Sequence, residues 1–390
     1  MESSSNRIED HPSIQLASQL IACPSISPDD AGAQRILRNH LAACGFDVRP
    51  VDVDGVTNTW TELGDKGPLF VFGVHADVVP SGDASDWTSP PFEPAVRDGF
   101  LYGRGAADMK GPLAAAVIAA ERFVRKHQGN PPMRIGFIIT GDEEPVDNHG
   151  TQDVLDWLES EGKSIDYCIV TEPTSAETFG DTVKVGRRGS INGFITIHGK
   201  QGHSAYPELA SNPVHRGLWV LHTLAERMWD PGDEHFPAAG FQITNIHAGT
   251  GAANVIPGKF NVQFNVRHGP GLTLEAVETT VSDMLLQAGL KFDLKCVSDA
   301  QPFMTKQGKL ADITCEVIHE CAGIMPARAT GGGTSDARFI APRCGELVEF
   351  GLVGATSHHV DEHVSAADLA RLTDVYEGIL DRLSVSIEGQ

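Results

Sequence analysis

Four short apolar runs stand out along the chain: Leu69 to Val74, Met133 to Ile139, Asp166 to Val170 and Leu347 to Val353. Each is continuous rather than alternating, the pattern of a strand covered on both faces. Between the first two, Leu113, Val117, Ala120 and Val124 share one side of a segment from Lys110 to His127, which predicts a helix. Earlier, Ser27-Pro28-Asp29-Asp30 reads as a helix start with serine as cap and proline in the first turn. Ile36, Leu37, Leu41 and Cys44 then share a face until Gly45 ends it. This alternation predicts an α/β core whose largely parallel sheet is flanked by helices.

The pattern changes between about Val183 and Ser298. Strand-like segments at Lys184 to Val185, Gly193 to His198, Phe241 to His247, Lys259 to Arg267 and Phe292 to Val297 are joined with helical segments at Pro213 to Met228 and Leu274 to Ala288. That order predicts an antiparallel sheet with helices on one face, an α+β domain inserted into the first. The expected division is residues 1–182 and 299–390 for the α/β domain and 183–298 for the insert. Two domains also suit 390 residues, because single cores stop growing at roughly 250–300.

Composition narrows the function. With 41% hydrophobic and 21% charged residues the chain reads as globular, and no stretch reaches the roughly 18 apolar residues of a membrane helix. The opening residues lack the charged and apolar regions of a signal peptide, so the expected location is the cytoplasm, with no membrane partner. A net charge of −22 argues against nucleic acid as a partner. It also means that an acidic substrate would need arginines of its own in the site. The seven cysteines are scattered and never spaced as Cys-x-x-Cys, so they read as reduced thiols outside any disulfide or metal site.

Each apolar run leads into metal-ligand chemistry: His75-Ala76-Asp77, Gly141-Asp142-Glu143-Glu144, Thr171-Glu172-Pro173 and Ser357-His358-His359. In open α/β sheets ligands bind beyond the carboxyl ends of the strands, so four such ends would bring these groups together. Alone, each has an ordinary reading as a strand-end hydrogen bond or a solvated loop. Together they call for a common cause. Asp108 joins them from the glycine-rich stretch Gly103 to Gly111, either as a ligand or as the cap of the helix from Lys110. Imidazole and carboxylate without thiolate suit zinc, with cobalt or manganese as substitutes, and three carboxylates with two histidines are enough for a pair of ions. Asp77, two residues after His75, lies on the same strand face and can orient the imidazole. Of the adjacent glutamates, one can coordinate while the other takes a proton from water. The glycine run at Gly331 lacks the lysine and serine or threonine of a phosphate loop.

These motifs, with Gly186 to Gly193, Gly202 to Pro207, Asn254 to Pro257 and Gly331 to Phe339, resemble the dinuclear zinc aminoacylase and carboxypeptidase family over nearly the whole chain. The resemblance implies that Asp108 bridges two zinc ions, with His75 and Glu172 on one and Glu144 and His358 on the other. It makes Glu143 the general base. It implies that the outer domain is catalytic and that the insert is a ferredoxin-like lid and dimerisation domain, whose His203 reaches the partner subunit's site in an obligate homodimer. Arg187, Ser190, Tyr206, Asn254, Arg267, Gly333 and Thr334 are the expected substrate contacts. The activity implied is hydrolysis of N-succinyl-LL-2,6-diaminopimelate to succinate and LL-2,6-diaminopimelate in lysine and diaminopimelate biosynthesis. Two other readings are a related N-acyl amino acid deacylase, such as an acetylornithine deacetylase, and a non-catalytic binding protein of the same fold. His359, directly after His358, is the alternative ligand.

Overall fold

A computed structural model describes residues 7–145, 148–306 and 308–388. In chain order the first sheet contributes β1 (Asp47–Pro50), β2 (Thr59–Leu63), β3 (Leu69–His75), β4 (Arg134–Thr140), β5 (Ile165–Val170) and β6 (Thr182–Lys184). The chain then forms β7 (Gly189–His198), β8 (Gly240–Ala248), β9 (Lys259–His268) and β10 (Lys291–Ala300) of another sheet. It returns to the first for β11 (Ala327–Ala329) and β12 (Cys344–Glu349). The principal helices are α1 (Pro12–Ile21), α2 (Ala33–Ala43), α3 (Lys110–Lys126), α4 (Gly150–Ser160), α5 (Pro213–Glu226), α6 (Leu274–Gln287), α7 (Leu310–Ala322) and α8 (Ala366–Glu388).

The chain divides into two compact units. One comprises Met1–Val185, Met304–Ala329 and Ser335–Gln390; the other comprises Gly186–Phe303 and Thr330–Thr334.

The first unit is built on an eight-stranded sheet in the order β1-β2-β4-β3-β5-β12-β6-β11. It is mixed rather than largely parallel. Its central strands β4, β3, β5 and β12 run parallel, while β1 and β2 pair antiparallel at one edge. The parallel four are the four apolar runs, and β3 is buried at every position because helices cover both faces. β2, which the sequence reading omits, reads Thr59-Trp60-Thr61-Glu62-Leu63, with too few apolar residues to signal a buried strand.

On one face α3 packs against α8. Its run Ala114-Ala115-Ala116-Val117-Ile118-Ala119-Ala120 is buried throughout, and the small side chains allow close approach. Phe72 centres this layer, stacked on Phe137 at 5.2 Å and edge-on to Phe70 at 4.9 Å and Tyr376 at 5.4 Å.

The expected helix start at Ser27 is not observed. α2 begins at Ala33, and Asp30 caps its approach, accepting from the backbone N–H of Gly32 at 3.0 Å and Gln34 at 2.8 Å. Ser27 instead hydrogen-bonds the Asp77 carboxylate. Serine and aspartate both compete for backbone donors, and here the aspartate takes them.

The second unit is a four-stranded antiparallel sheet, order β8-β9-β7-β10, with α5 and α6 on one face. Ile191, Ile195 and Ile197 of β7 and Phe260, Val262 and Phe264 of β9 pack with Val220, Leu221 and Leu224 of α5 and Val277, Val281 and Leu285 of α6. At Gly193 a Cβ would stand 1.9 Å from the Phe264 ring, so glycine there makes room for the aromatic side chain on the neighbouring strand.

Truncating Phe72 removes a ring packed on three others, without room for the surrounding sheet and helices to collapse. Phe72→Ala is expected to lower stability by about 3–5 kcal/mol, read as a fall in the urea midpoint at constant slope.

Candidate active site

Three loops follow the carboxyl ends of β3, β4 and β5 and carry His75 to Asp77, Gly141 to Glu144 and Thr171 to Pro173. β12 stops at Glu349, so His358 belongs to a turn well beyond that strand rather than to its end. Its φ of +64° is left-handed, an uncommon conformation for a residue with a side chain.

Asp108 lies between two imidazoles. Its Oδ1 is 3.3 Å from His75 Nε2 and its Oδ2 is 3.5 Å from His358 Nε2. His358 Nε2 is also 3.2 Å from Glu144 Oε2, and donor atoms of His75, Asp108 and Glu144 all lie within 4.8 Å of one another. Donors sharing a tetrahedral zinc at about 2.0–2.2 Å stand roughly 3.3–3.6 Å apart. The observed spacings therefore fit a shared cation. His359 places its backbone carbonyl by Arg104, accepting from the guanidinium at 3.2 Å. Glu172 is buried at the end of β5, where it lines a small cavity with His75, Met109, Glu143 and Asp336.

Asp77 does more than face the imidazole. Its carboxylate accepts the backbone N–H groups of both Glu143 and Glu144 at 3.2 Å and the Ser27 hydroxyl. His75 Nδ1 lies 3.0 Å from the Asp77 backbone carbonyl and 3.5 Å from its carboxylate. Burial would raise the Asp77 pKa, but the bonds from His75, Ser27 and Glu144 hold it below the usual carboxyl range. It therefore fixes the glutamate loop and the imidazole at once.

The carboxylates far outnumber the cationic groups beside them. Burial, with Asp336, Glu172 and Glu144 close by, raises the Glu143 pKa well above the ordinary carboxyl range. Asp336, also buried, is pushed up to about 6. Hydrogen bonds donated to the Asp108 and Glu144 carboxylates push the His358 imidazole up to about 10. His75 is raised likewise by Asp108 and Asp77, against its burial. Among the described residues Glu144 Oε1 is buried with no hydrogen-bond partner. A buried anionic oxygen without a donor, among imidazoles held between carboxylates, is the electrostatic setting that divalent cations stabilise.

Several supporting residues escaped the sequence reading. Glu362 is fully buried and accepts from Arg104 at 2.6 Å and from the backbone N–H groups of Gly105, Ala107 and Asp108 at 3.0, 2.8 and 3.1 Å. Arg104 also reaches the His358 and His359 carbonyls at 3.5 and 3.2 Å, joining the Asp108 loop to the His358 turn. Asp336 accepts from Thr151 at 2.6 Å and from Asn148 at 3.1 Å, and Asn148 in turn donates to the Glu143 carbonyl at 2.8 Å. An acid four residues after His358 and an arginine among glycines were the available signals.

In the second unit Arg187, Ser190, Arg267 and Gly333 are linked by hydrogen bonds in two groups. Arg187 donates to the Gly333 carbonyl at 3.1 Å. Arg267 Nε donates to Asn265, whose amide donates to Ser190 and Asn192 at 3.0 and 2.8 Å. Among the described residues Arg267 Nη1, Arg188 Nε and Thr334 Oγ1 are buried without partners. Burial and the neighbouring Arg188 lower the Arg267 pKa. His203 pairs with Val255 across a short ladder, and the Asn254 carbonyl accepts the Ser204 N–H at 2.9 Å. The His203 ring meets the exposed Tyr206 edge-on at 5.6 Å. Its Nδ1 accepts the Ala205 N–H at 3.0 Å, which places the proton of the neutral ring on Nε2.

Removing Glu362 leaves the Arg104 charge buried and three backbone donors unpaired. Glu362→Ala is expected to cost about 3–5 kcal/mol of stability. Because Asp108 rides on the released loop, metal content by elemental analysis should fall with it.

Comparison with known proteins agrees with this architecture. The sequence model of Peptidase family M20/M25/M40 matches residues 71–382. A succinyl-diaminopimelate desuccinylase of Acinetobacter baylyi is 45% identical over 370 residues, which cover 95% of this chain and 98% of that protein. Among solved structures, an M20 family metallo-carboxypeptidase of Sulfolobus solfataricus superposes with a TM-score of 0.79 at 16% identity, covering 96% of this chain and 99% of that one. A dinuclear metal-binding peptidase of the M20 family from Bacillus subtilis superposes with a TM-score of 0.71 at 17% identity, covering 96% and 98%. The chain belongs to Peptidase family M20/M25/M40.

Proposed function

We propose that this chain hydrolyses N-succinyl-LL-2,6-diaminopimelate to succinate and LL-2,6-diaminopimelate, a step of diaminopimelate and lysine biosynthesis. The substrate assignment is supported by the near full-length identity to the Acinetobacter baylyi desuccinylase. The observation that carries the chemistry is the Asp108 carboxylate, which turns one oxygen to His75 and the other to His358. A carboxylate so placed suits a bridge between two cations, zinc by its donor set, with cobalt or manganese able to substitute. His75 and Glu172 would complete one position, Glu144 and His358 the other. His358 is favoured over His359 because its ring nitrogen faces both Asp108 and Glu144. When bound, such ions polarise the scissile carbonyl and acidify the attacking water.

The chain's own residues do the rest. Glu143, poised by burial to hold a proton, takes one from the attacking water and returns it to the departing amine. Asp77 keeps Glu143, Glu144 and His75 in register. The two ends of the substrate are acidic, and the buried, unpaired Nη1 of Arg267 is a donor suited to a carboxylate. Arg187, Ser190, Asn254, Gly333, Thr334 and Tyr206 complete the proposed contacts. His203 offers its Nε2 proton to the developing oxyanion, reaching across a homodimer whose interface the second unit forms. Among the described residues no helix is long and apolar enough to cross a membrane, and the proposed setting is the cytoplasm.

Zinc-loaded protein should cleave N-succinyl-LL-2,6-diaminopimelate in clear preference to N-acetylornithine. Glu143→Gln should abolish turnover while elemental analysis still finds two ions per chain. Preference for N-acetylornithine would make the chain a deacetylase, and loss of metal from Glu143→Gln would exchange the roles of the two glutamates.

His203→Ala should lower kcat roughly a hundredfold or more, as loss of an oxyanion donor does, with metal content unchanged. Heterodimers of His203→Ala with Glu143→Ala subunits would hold one site lacking both groups and one with both intact. Activity should partly return on mixing. Verified heterodimers as inactive as either parent would mean that His203 serves its own subunit.

A further inference from the structure

The reaction above uses no thiol, yet Cys44 stands among metal-ligating groups that belong to none of its steps. α2 carries His40 in its last turn and ends at Cys44 as its cap. Four residues apart on a helix, two side chains share one face, a turn apart. Glu121 of α3 meets them there, with Oε2 at 3.0 Å from His40 Nε2. One imidazole nitrogen, one thiol sulfur and one carboxylate oxygen lie within 4.8 Å of one another. The His40 and Glu121 side chains are 30% and 25% exposed, so a solvated ion can reach them and keep a water.

We propose that His40, Cys44 and Glu121 form a separate cation site, selective for zinc and similar borderline ions over magnesium or calcium, that ties α2 to α3. The sulfur decides the selectivity, because hard cations take oxygen ligands and a thiolate favours zinc. Binding breaks the S–H bond, sends its proton to solvent and forms a metal–sulfur bond. Neutral imidazole, thiolate and carboxylate then carry two negative charges against the two positive ones of the ion. A zinc ion at about 2.0–2.3 Å from its donors would hold them roughly 3.3–3.7 Å apart. His40 and Glu121, 3.0 Å apart, stand a few tenths of an ångström closer than that, and the sulfur lies within 4.8 Å of both, so side-chain movements alone would bring the three donors to an ion. The other oxygen of Glu121 is taken by Arg125, one turn along α3, which leaves Oε2 facing the site. No Cys-x-x-Cys spacing marks such a site, because its third ligand comes from a different helix.

Cobalt(II) is the probe, since a thiolate-to-cobalt charge-transfer band cannot arise from the cysteine-free set of His75, Asp108, Glu144, Glu172 and His358. Titrated into the full chain given two equivalents of zinc, enough for the cysteine-free set alone, cobalt(II) should develop that band and saturate at one further equivalent per chain. Cys44→Ser should abolish it. Loss of an outer hydrogen-bond partner alone weakens a metal site about tenfold or more, so His40→Ala, which removes a ligand, should weaken binding by at least as much. Both variants should hydrolyse substrate at the wild-type rate, a readout that also reports correct folding. The proposal is overturned if the band is absent from the wild-type chain with its thiols reduced, survives in Cys44→Ser, or keeps its affinity in His40→Ala.

Discussion

The Glu362 carboxylate commits its hydrogen-bonding capacity to one loop. Both oxygens accept from that loop, one taking the Arg104 guanidinium and the Gly105 N–H and the other the N–H groups of Ala107 and Asp108. A fully buried charge is tolerated only with such complete pairing. The same guanidinium reaches the carbonyls of His358 and His359. The loop that presents Asp108 and the turn that presents His358 are therefore held by a single buried ion pair. The left-handed backbone of His358 persists within that frame.

Around this frame the electrostatics are lopsided. Asp77, Asp108, Glu143, Glu144, Glu172 and Asp336 are gathered at one end of a parallel array of strands in a chain of net charge −22. Asp77 and Asp336 have their oxygens engaged by hydrogen bonds from the chain itself. Asp108 and Glu144 face imidazoles instead, and one Glu144 oxygen has no donor among the described residues. In the second unit Arg188 Nε and Arg267 Nη1 are buried with no hydrogen-bond partner among the described residues. The clustered carboxylates and these guanidinium groups belong to two folding units with separate cores.

Much of this was legible in the chain. Continuous apolar runs at Leu69, Met133, Asp166 and Leu347 marked the four parallel central strands, because burial on both faces removes polar alternation. The groups following three of them fall together for the topological reason that parallel strands share their carboxyl ends. Less legible were the elements without that signature. β2 is too polar to read as buried, so the sheet looked more parallel than it is. Ser27 resembled a helix cap because serine and aspartate satisfy the same donors, and only the neighbouring Asp77 decided where its hydroxyl went.

Local sequence determined the four central strands, the α3 helix and the chemical character of each loop, since these follow from periodicity and residue type over a few positions. Tertiary structure alone decided which distant groups meet. Glu362 and Arg104 are 258 positions apart, Asn148 and Asp336 188, and His40 and Glu121 81. A hydrogen bond or shared cation forms at about 3 Å whatever the separation along the chain, and no local pattern records which partner the fold will bring to that distance.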